Sequence, residues 1–206
     1  MSKLIIIFVT QIFKMQDFWF YLQLGWGHII SKDALDHQLF ILALVAIFSI
    51  QDFKKVLILV TAFTLGHSLT LFLSATDVIR FSSKWVEFLI PCTIVFTAAD
   101  NLIFSKDKKR LMQVNYLLAL LFGLVHGMGF ANSVRIMLAQ EQDIVLPLLG
   151  FNVGLEIGQI AVVLGALLLH YMSIKFVKIP DKYWVGGVSI SILIFALGMV
   201  ADRFPM

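Results

Sequence analysis

The chain has 206 residues, of which 60% are hydrophobic and only 14% charged, where an ordinary soluble domain carries about 25% charged residues. So few polar residues cannot cover a water-facing surface, which excludes a soluble globular domain and leaves a bilayer as the main solvent. The net charge of +3 does not point to nucleic acid, because the basic residues fall in short breaks between apolar runs. The single cysteine, Cys92, excludes a disulfide within the chain and a thiolate metal cluster, and without a GxxxxGK[ST] pattern no nucleotide or intrinsic ATPase is expected.

Residues 1–16 read as an N-terminal extension of open status. LIIIFV (4–9) follows Lys3, lacks a small-residue cleavage site and is far too short to span; Met15 is an alternative start. The aromatics of DFWFYLQLGWGHII (17–30), with Asp17 as N-cap, predict a helix lying in the membrane interface. Residues 17–206 read as one all-α integral-membrane domain. Six spans are expected, over 34–50, 56–75, 86–104, 111–135, 146–174 and 184–201. Charged breaks separate them at Lys54-Lys55, Arg80 to Lys84, Lys106 to Arg110, Glu141 to Asp143 and Lys175 to Lys182. Alternating the loops puts nine basic residues on one side and seven on the other, with KDKKR (106–110) on the richer side. The positive-inside rule then places residues 105–110 in the cytoplasm and both termini outside, in a multi-pass cell (inner) membrane.

The polar residues inside these spans share one half of the membrane. At 1.5 Å per residue, His67 and His126 lie about 12 Å below the outer surface and Glu156 about 15 Å. Asp36 and His37 open the first span at about 3–5 Å, and His28 precedes them. A charge at the bilayer centre costs at least ~2.5 kcal/mol, so Glu156 is expected to face the bundle interior. Asn152, Glu156 and Gln159 fall on one helical stripe, with Gly150, Gly154 and Gly158 on the opposite face, where small residues permit close helix packing. His67, Thr70 and Ser74 make a similar polar stripe, and Gly123 and Gly127 thin the helix beside His126. Asp100 and Asn101 lie toward the cytoplasmic end of the third span. Asp33, Glu87, His170 and Cys92 are more simply read as cap, interfacial, helix-end and packing residues.

Imidazole nitrogens with carboxylate oxygens and no thiolates suit nickel, cobalt, zinc or copper(II) rather than magnesium or calcium. His28, Asp36, His37, His67, His126 and Glu156 are therefore the candidate metal ligands. Asn152, Gln159 and Asp100 stand in support. Spread from surface to mid-depth, they would form a staircase along which an ion sheds water. An inside-negative potential favours entry of a divalent cation by about 4.6 kcal/mol per 100 mV, enough to drive uptake without ATP.

The segments GWGHIISKDALDHQLFILAL (25–44), FTLGHSLTL (63–71), VEFLIP (86–91), LFGLVHGMGFA (121–131) and GFNVGLEIGQ (150–159) resemble the HupE/UreJ family of hydrogenase and urease accessory membrane proteins. The resemblance runs from residue 17 onward. It implies about six membrane helices and a nickel or cobalt permease, with the family's His…Asp-His signature on His28, Asp36 and His37 and its later histidine motifs on His67 and His126. The signature here departs from the usual spacing: seven residues rather than five separate His28 from Asp36. In one continuous helix this turns His28 by about 200° from the pattern, and a break at Ser31-Lys32-Asp33 would restore convergence. Three other readings use the same residues: a metal-dependent intramembrane enzyme, a metallocentre-assembly protein without flux, and a haem-binding electron-transfer protein with His67 and His126 as axial ligands. A rhomboid-like hydrolase is disfavoured, because no glycine-framed serine lies at mid-depth. Lipid and the metal ion are the expected partners; no nucleic acid is expected.

Overall fold

The computed structural model describes residues 2–104, 108–138 and 144–205, and these fold as seven α-helices with no strand. They are α1 (Ser2–Ile30), α2 (Leu35–Val45), α3 (Phe53–Ala75), α4 (Ser83–Phe104), α5 (Lys108–Leu138), α6 (Val145–Lys175) and α7 (Asp181–Asp202). Among the described residues, five helices are long and apolar enough to cross a membrane: α4, α6 and α7 entire, α5 from Gln113, and α3 with the turn before it from Ile50. The protein is thus an all-α membrane helix bundle. Among the breaks expected from charge, Lys106 and Asp107, and Glu141 and Asp143, lie outside the described residues, as does the first half of the 105–110 segment whose side of the membrane was assigned.

Glycines set the closest helix contacts. A Cβ on Gly66 would strike the α5 backbone at Leu120, one on Gly123 would strike Phe63, and one on Gly127 the Thr70 side chain. α3 and α5 therefore pack side by side, parallel, with the TLGHSLT (64–70) and GLVHGMG (123–129) segments facing each other. The second close pair is α1 with α6. Gly150, Gly154 and Gly158 meet Phe18, Leu22 and Ile29 in that order, and Gly25 meets Phe151, so these two helices also run parallel. Without lipid-excluding hydrophobic pressure between helices, such close approach is what holds apolar helices together in a bilayer.

The N-terminal half departs from the sequence expectation in two ways. The first helix is continuous from Ser2 to Ile30 and lies along α6 instead of flat across the end of the bundle. Asp17 is mid-helix and caps nothing, because LIIIFV runs into the aromatic segment with no glycine or proline between them. The span expected over 34–50 is shorter: α2 has 11 residues, about 16 Å, half a hydrocarbon core. It stops because a new N-terminus begins just beyond it. Ser49 and Asp52 form a reciprocal capping box, with the Ser49 hydroxyl 3.1 Å from the Asp52 carboxylate.

α1 ends level with Gly158, part-way along α6, and α2 carries the chain onward from beside Arg203 to Ala43, whose carbonyl meets Asn101 near the far end of α4. The first crossing is thus made in two pieces, stepped by a single 3-10 turn at Lys32–Ala34. Backbone broken inside a membrane protein needs its carbonyls satisfied. Gln38 does this, its Nε2 donating to Ile29 O at 2.9 Å and to Ser31 O at 3.0 Å.

A cluster of four histidines in the bundle

The step between α1 and α2 turns His28 and His37 toward one another, and the parallel α3–α5 pair brings His67 and His126 to the same place. Ring centroids are 4.7 Å apart for His28 and His37, 4.8 Å for His37 and His126, and 6.0 Å for His28 and His67. One ring nitrogen from each of His28, His37 and His67 can be chosen so that all three lie within 4.8 Å of one another, close enough to share a metal ion. His67 and His126 are wholly buried and His37 nearly so. Phe63, Phe151 and Phe130 wall the cluster: Phe151 stacks with His67 at 6.3 Å, and Phe130 lies 4.2 Å from His28.

The hydrogen bonds select which nitrogen each ring presents. His37 Nδ1 lies 3.0 Å from Asp36 Oδ1, and His126 Nδ1 lies 2.8 Å from the Phe122 carbonyl. A carbonyl and a carboxylate only accept, so a neutral ring keeps its proton on Nδ1 and offers the lone pair of Nε2. Both Nε2 atoms are buried with no hydrogen-bond partner among the described residues, as are His28 Nε2 and both nitrogens of His67. Buried polar atoms are paired in the large majority of cases. Unpartnered nitrogens on four neighbouring imidazoles, three of which can reach one point, are what a cation site needs, and the carboxylate-to-imidazole bond of Asp36 and His37 is the usual support for a metal-binding histidine.

A cavity of about 310 Å³ opens beside this cluster, and its lining includes His28, His37 and His126. Its mouth carries Asp33 and Glu87, both exposed, with Asp36 deeper. Three carboxylates on a low-dielectric wall concentrate cations. Arg203, just past α7, closes the opposite side and holds Asp36 Oδ2 at 3.3 Å.

The structure brings some of the candidate residues together and places others elsewhere. His28, Asp36, His37, His67 and His126 come together; the helix break at Ser31–Ala34 is what returns His28 to the group. They do not form a staircase. His37 is not shallower than His67 and His126 but packs beside them, with Asp36 bonded to its Nδ1, because α2 begins inside the bundle. Glu156 is not brought into the cluster. It accepts from Thr61 Oγ1 at 2.7 Å, and Gln159 from Thr64 Oγ1 at 2.9 Å, so the stripe expected to face the metal forms a polar seam between α6 and α3. Asn152 on the same helix donates to Leu148 O. Asp100 is buried on α4, away from the cluster. His170 pairs with Asp181 at 3.1 Å at the other end of the bundle. Asp33, Glu87 and Arg203 were not expected at the site. Glu87 had one signal, its place in the VEFLIP segment; Arg203 had none, since only the packing of α7 carries it to Asp36.

A family model described as HupE / UreJ protein matches residues 6–204, nearly the whole chain. The chain belongs to the HupE/UreJ family. No curated protein and no solved structure matches it. Membership of a HupE/UreJ membrane family agrees with a general role in metal uptake, and in this HupE/UreJ protein the quoted motif histidines are the four that meet.

Proposed function

We propose that this HupE/UreJ protein is an ATP-independent permease for a divalent transition-metal ion, nickel or cobalt by preference, with the histidine cluster as its binding site and the cavity mouth facing outside. The carrying observation is the set of unpartnered imidazole nitrogens at the floor of a cavity with an acidic mouth. Nitrogen-rich ligation of a borderline ion suits nickel and cobalt, and zinc and copper use the same donors. The broken α1–α2 crossing supports transport, since secondary transporters place their sites at discontinuous helices near the membrane interior. The haem alternative gains nothing here: His37 lies 6.1 Å from His67 and 4.8 Å from His126, in the space a porphyrin plate would need.

Uptake into proteoliposomes tests the reading. Wild-type protein should accumulate nickel or cobalt under an inside-negative potential. His67→Ala and His126→Ala should lower uptake by more than the roughly 10–100-fold typical of losing only a supporting group. Flux equal to protein-free vesicles, with intact metal binding, would transfer support to a metal-dependent membrane enzyme. That second reading rests on the same three-imidazole arrangement beside the cavity, which also suits a metal-bound water.

A further inference from the structure

Each of three cluster histidines is followed, one helical turn toward the far end of the bundle, by a phenylalanine. His37 is followed by Phe40 on α2, His67 by Phe63 on α3 and His126 by Phe122 on α5. Phe40 lies 5.3 Å from Phe63 and 5.4 Å from Phe122, and all three rings are buried. These rings form an apolar layer directly beneath the metal-binding nitrogens.

Beyond that layer the bundle is polar again. Asn101 and Asn115 are almost wholly buried. Asn101 Nδ2 donates to the Ala43 carbonyl at 2.7 Å. A carbonyl can only accept, so this contact fixes the amide orientation and turns Asn101 Oδ1 away from Ala43. That oxygen, and both polar atoms of Asn115, have no partner among the described residues. The two side chains belong to the same level. α4 and α5 run antiparallel, and their register is marked by Ser83 with Asn132, by Ile90 with Gly129, and by Phe96 with Phe122. Extending it sets Asn115 opposite the stretch around Asn101. Thr97, fully buried, lies one turn away on the same face of α4. On α5, Asn115 is eleven residues from His126, about 16 Å along the axis and within about 20° of the same face.

Leaving buried amides unpaired costs about 1–3 kcal/mol each, and nothing in helix packing requires two at one level. We infer that Asn101 and Asn115 form a second cation station on the far side of the phenylalanine layer. There their neutral amide oxygens take up a divalent ion released from the histidine cluster. Neutral oxygens hold such an ion more loosely than imidazoles do, which suits release, and the apolar layer between the stations restricts passage to an ion in transit. The inference rests on the permease reading and adds its inward half.

The test uses full-length protein in proteoliposomes, with nickel or cobalt ions alone as the probe, and reads equilibrium binding and flux separately. Asn101→Leu and Asn115→Leu should retain metal binding at the histidines while flux falls by about tenfold or more, as expected when a transit barrier rises by one lost polar contact. Asn115→Asp, which keeps an oxygen at the same place, should retain flux. Asn115→Ser, smaller and still polar, replaces the leucine variant if that one fails to fold, and should give an intermediate flux. Wild-type flux in the Leu variants, or in Asn101→Leu alone where Asn115→Leu does not fold, would overturn the inner station and leave the permease reading intact. Loss of histidine-site binding along with flux would also overturn it, by assigning the asparagines a purely structural role. Absence of flux in the wild type would remove both.

Discussion

At the residue scale, the property that matters is which imidazole nitrogen is free. Asp36 and the Phe122 carbonyl each hold an Nδ1 proton, so His37 and His126 present Nε2 inward. Asp36→Asn keeps a side chain able to accept from His37 but removes its charge; metal affinity should fall about 10- to 100-fold, measured by titration of purified protein. Arg203→Gln should act the other way. The guanidinium ties up Asp36 Oδ2 and places a positive charge beside an approaching cation, so its removal should tighten binding in the same titration. Lowering the pH should weaken binding, because a proton and a metal ion compete for the same Nε2 lone pair. Binding that is unaffected by acid would sink imidazole ligation.

At the scale of elements, two parallel helix pairs and one seam carry the site. Gly154 lets the α1 backbone at Leu22 come into contact with α6. Gly154→Leu should force the pair apart, lowering stability by about 1–3 kcal/mol in a detergent melt and weakening metal binding through displacement of His28. Glu156→Gln should behave differently. Its contact is with Thr61 and not with the histidines, and a glutamine oxygen still accepts from Thr61, so metal binding should be unchanged and stability should fall by no more than about 0.6 kcal/mol, the average for a hydrogen bond between membrane helices. A large loss of affinity in Glu156→Gln would restore the ligand role that its helical stripe suggested. The turn after α3 is held by Asp77, which pairs with Arg80 at 2.5 Å and reaches Arg135 on α5 at 3.4 Å. The Arg80 hydrogen bond keeps the Asp77 carboxyl below the usual carboxylate range. A depressed acid contributes stability above its unfolded pKa and loses it as pH falls through the folded one. The contribution is small because the pair is exposed. Acidification should therefore loosen this turn first, an effect Asp77→Asn should abolish in hydrogen exchange.

At the scale of the whole molecule, the cavity, the start of α6 and the end of α7 lie at one end of the bundle, while His170 and Asp181 lie at the other. α1 runs parallel to α6, so both chain termini approach from the cavity end. Tags at the two termini should be labelled from the same side of oriented vesicles, and that side should be the one from which metal enters.

The sequence by itself determined the membrane bundle, because hydropathy over windows of about 20 residues is a local property that the bilayer reads directly. It also singled out the four histidines that the fold brings together, since imidazoles are too costly in apolar helices to be placed there idly. Tertiary structure decided what those residues do. Depth counted along straight helices put Asp36 and His37 near the surface, whereas a step at Ser31–Ala34 starts α2 beside His67 and His126. The stripe on α6 pointed Glu156 inward by periodicity alone, yet which face of a helix is interior depends on the neighbour that packs there, and on that face the neighbour is Thr61. The approach of Arg203 to Asp36 and the Asn101–Asn115 level required the register between one helix and another. Periodicity within one helix carries no information about that register, because it is set by how the side chains of one helix fit the surface of the next.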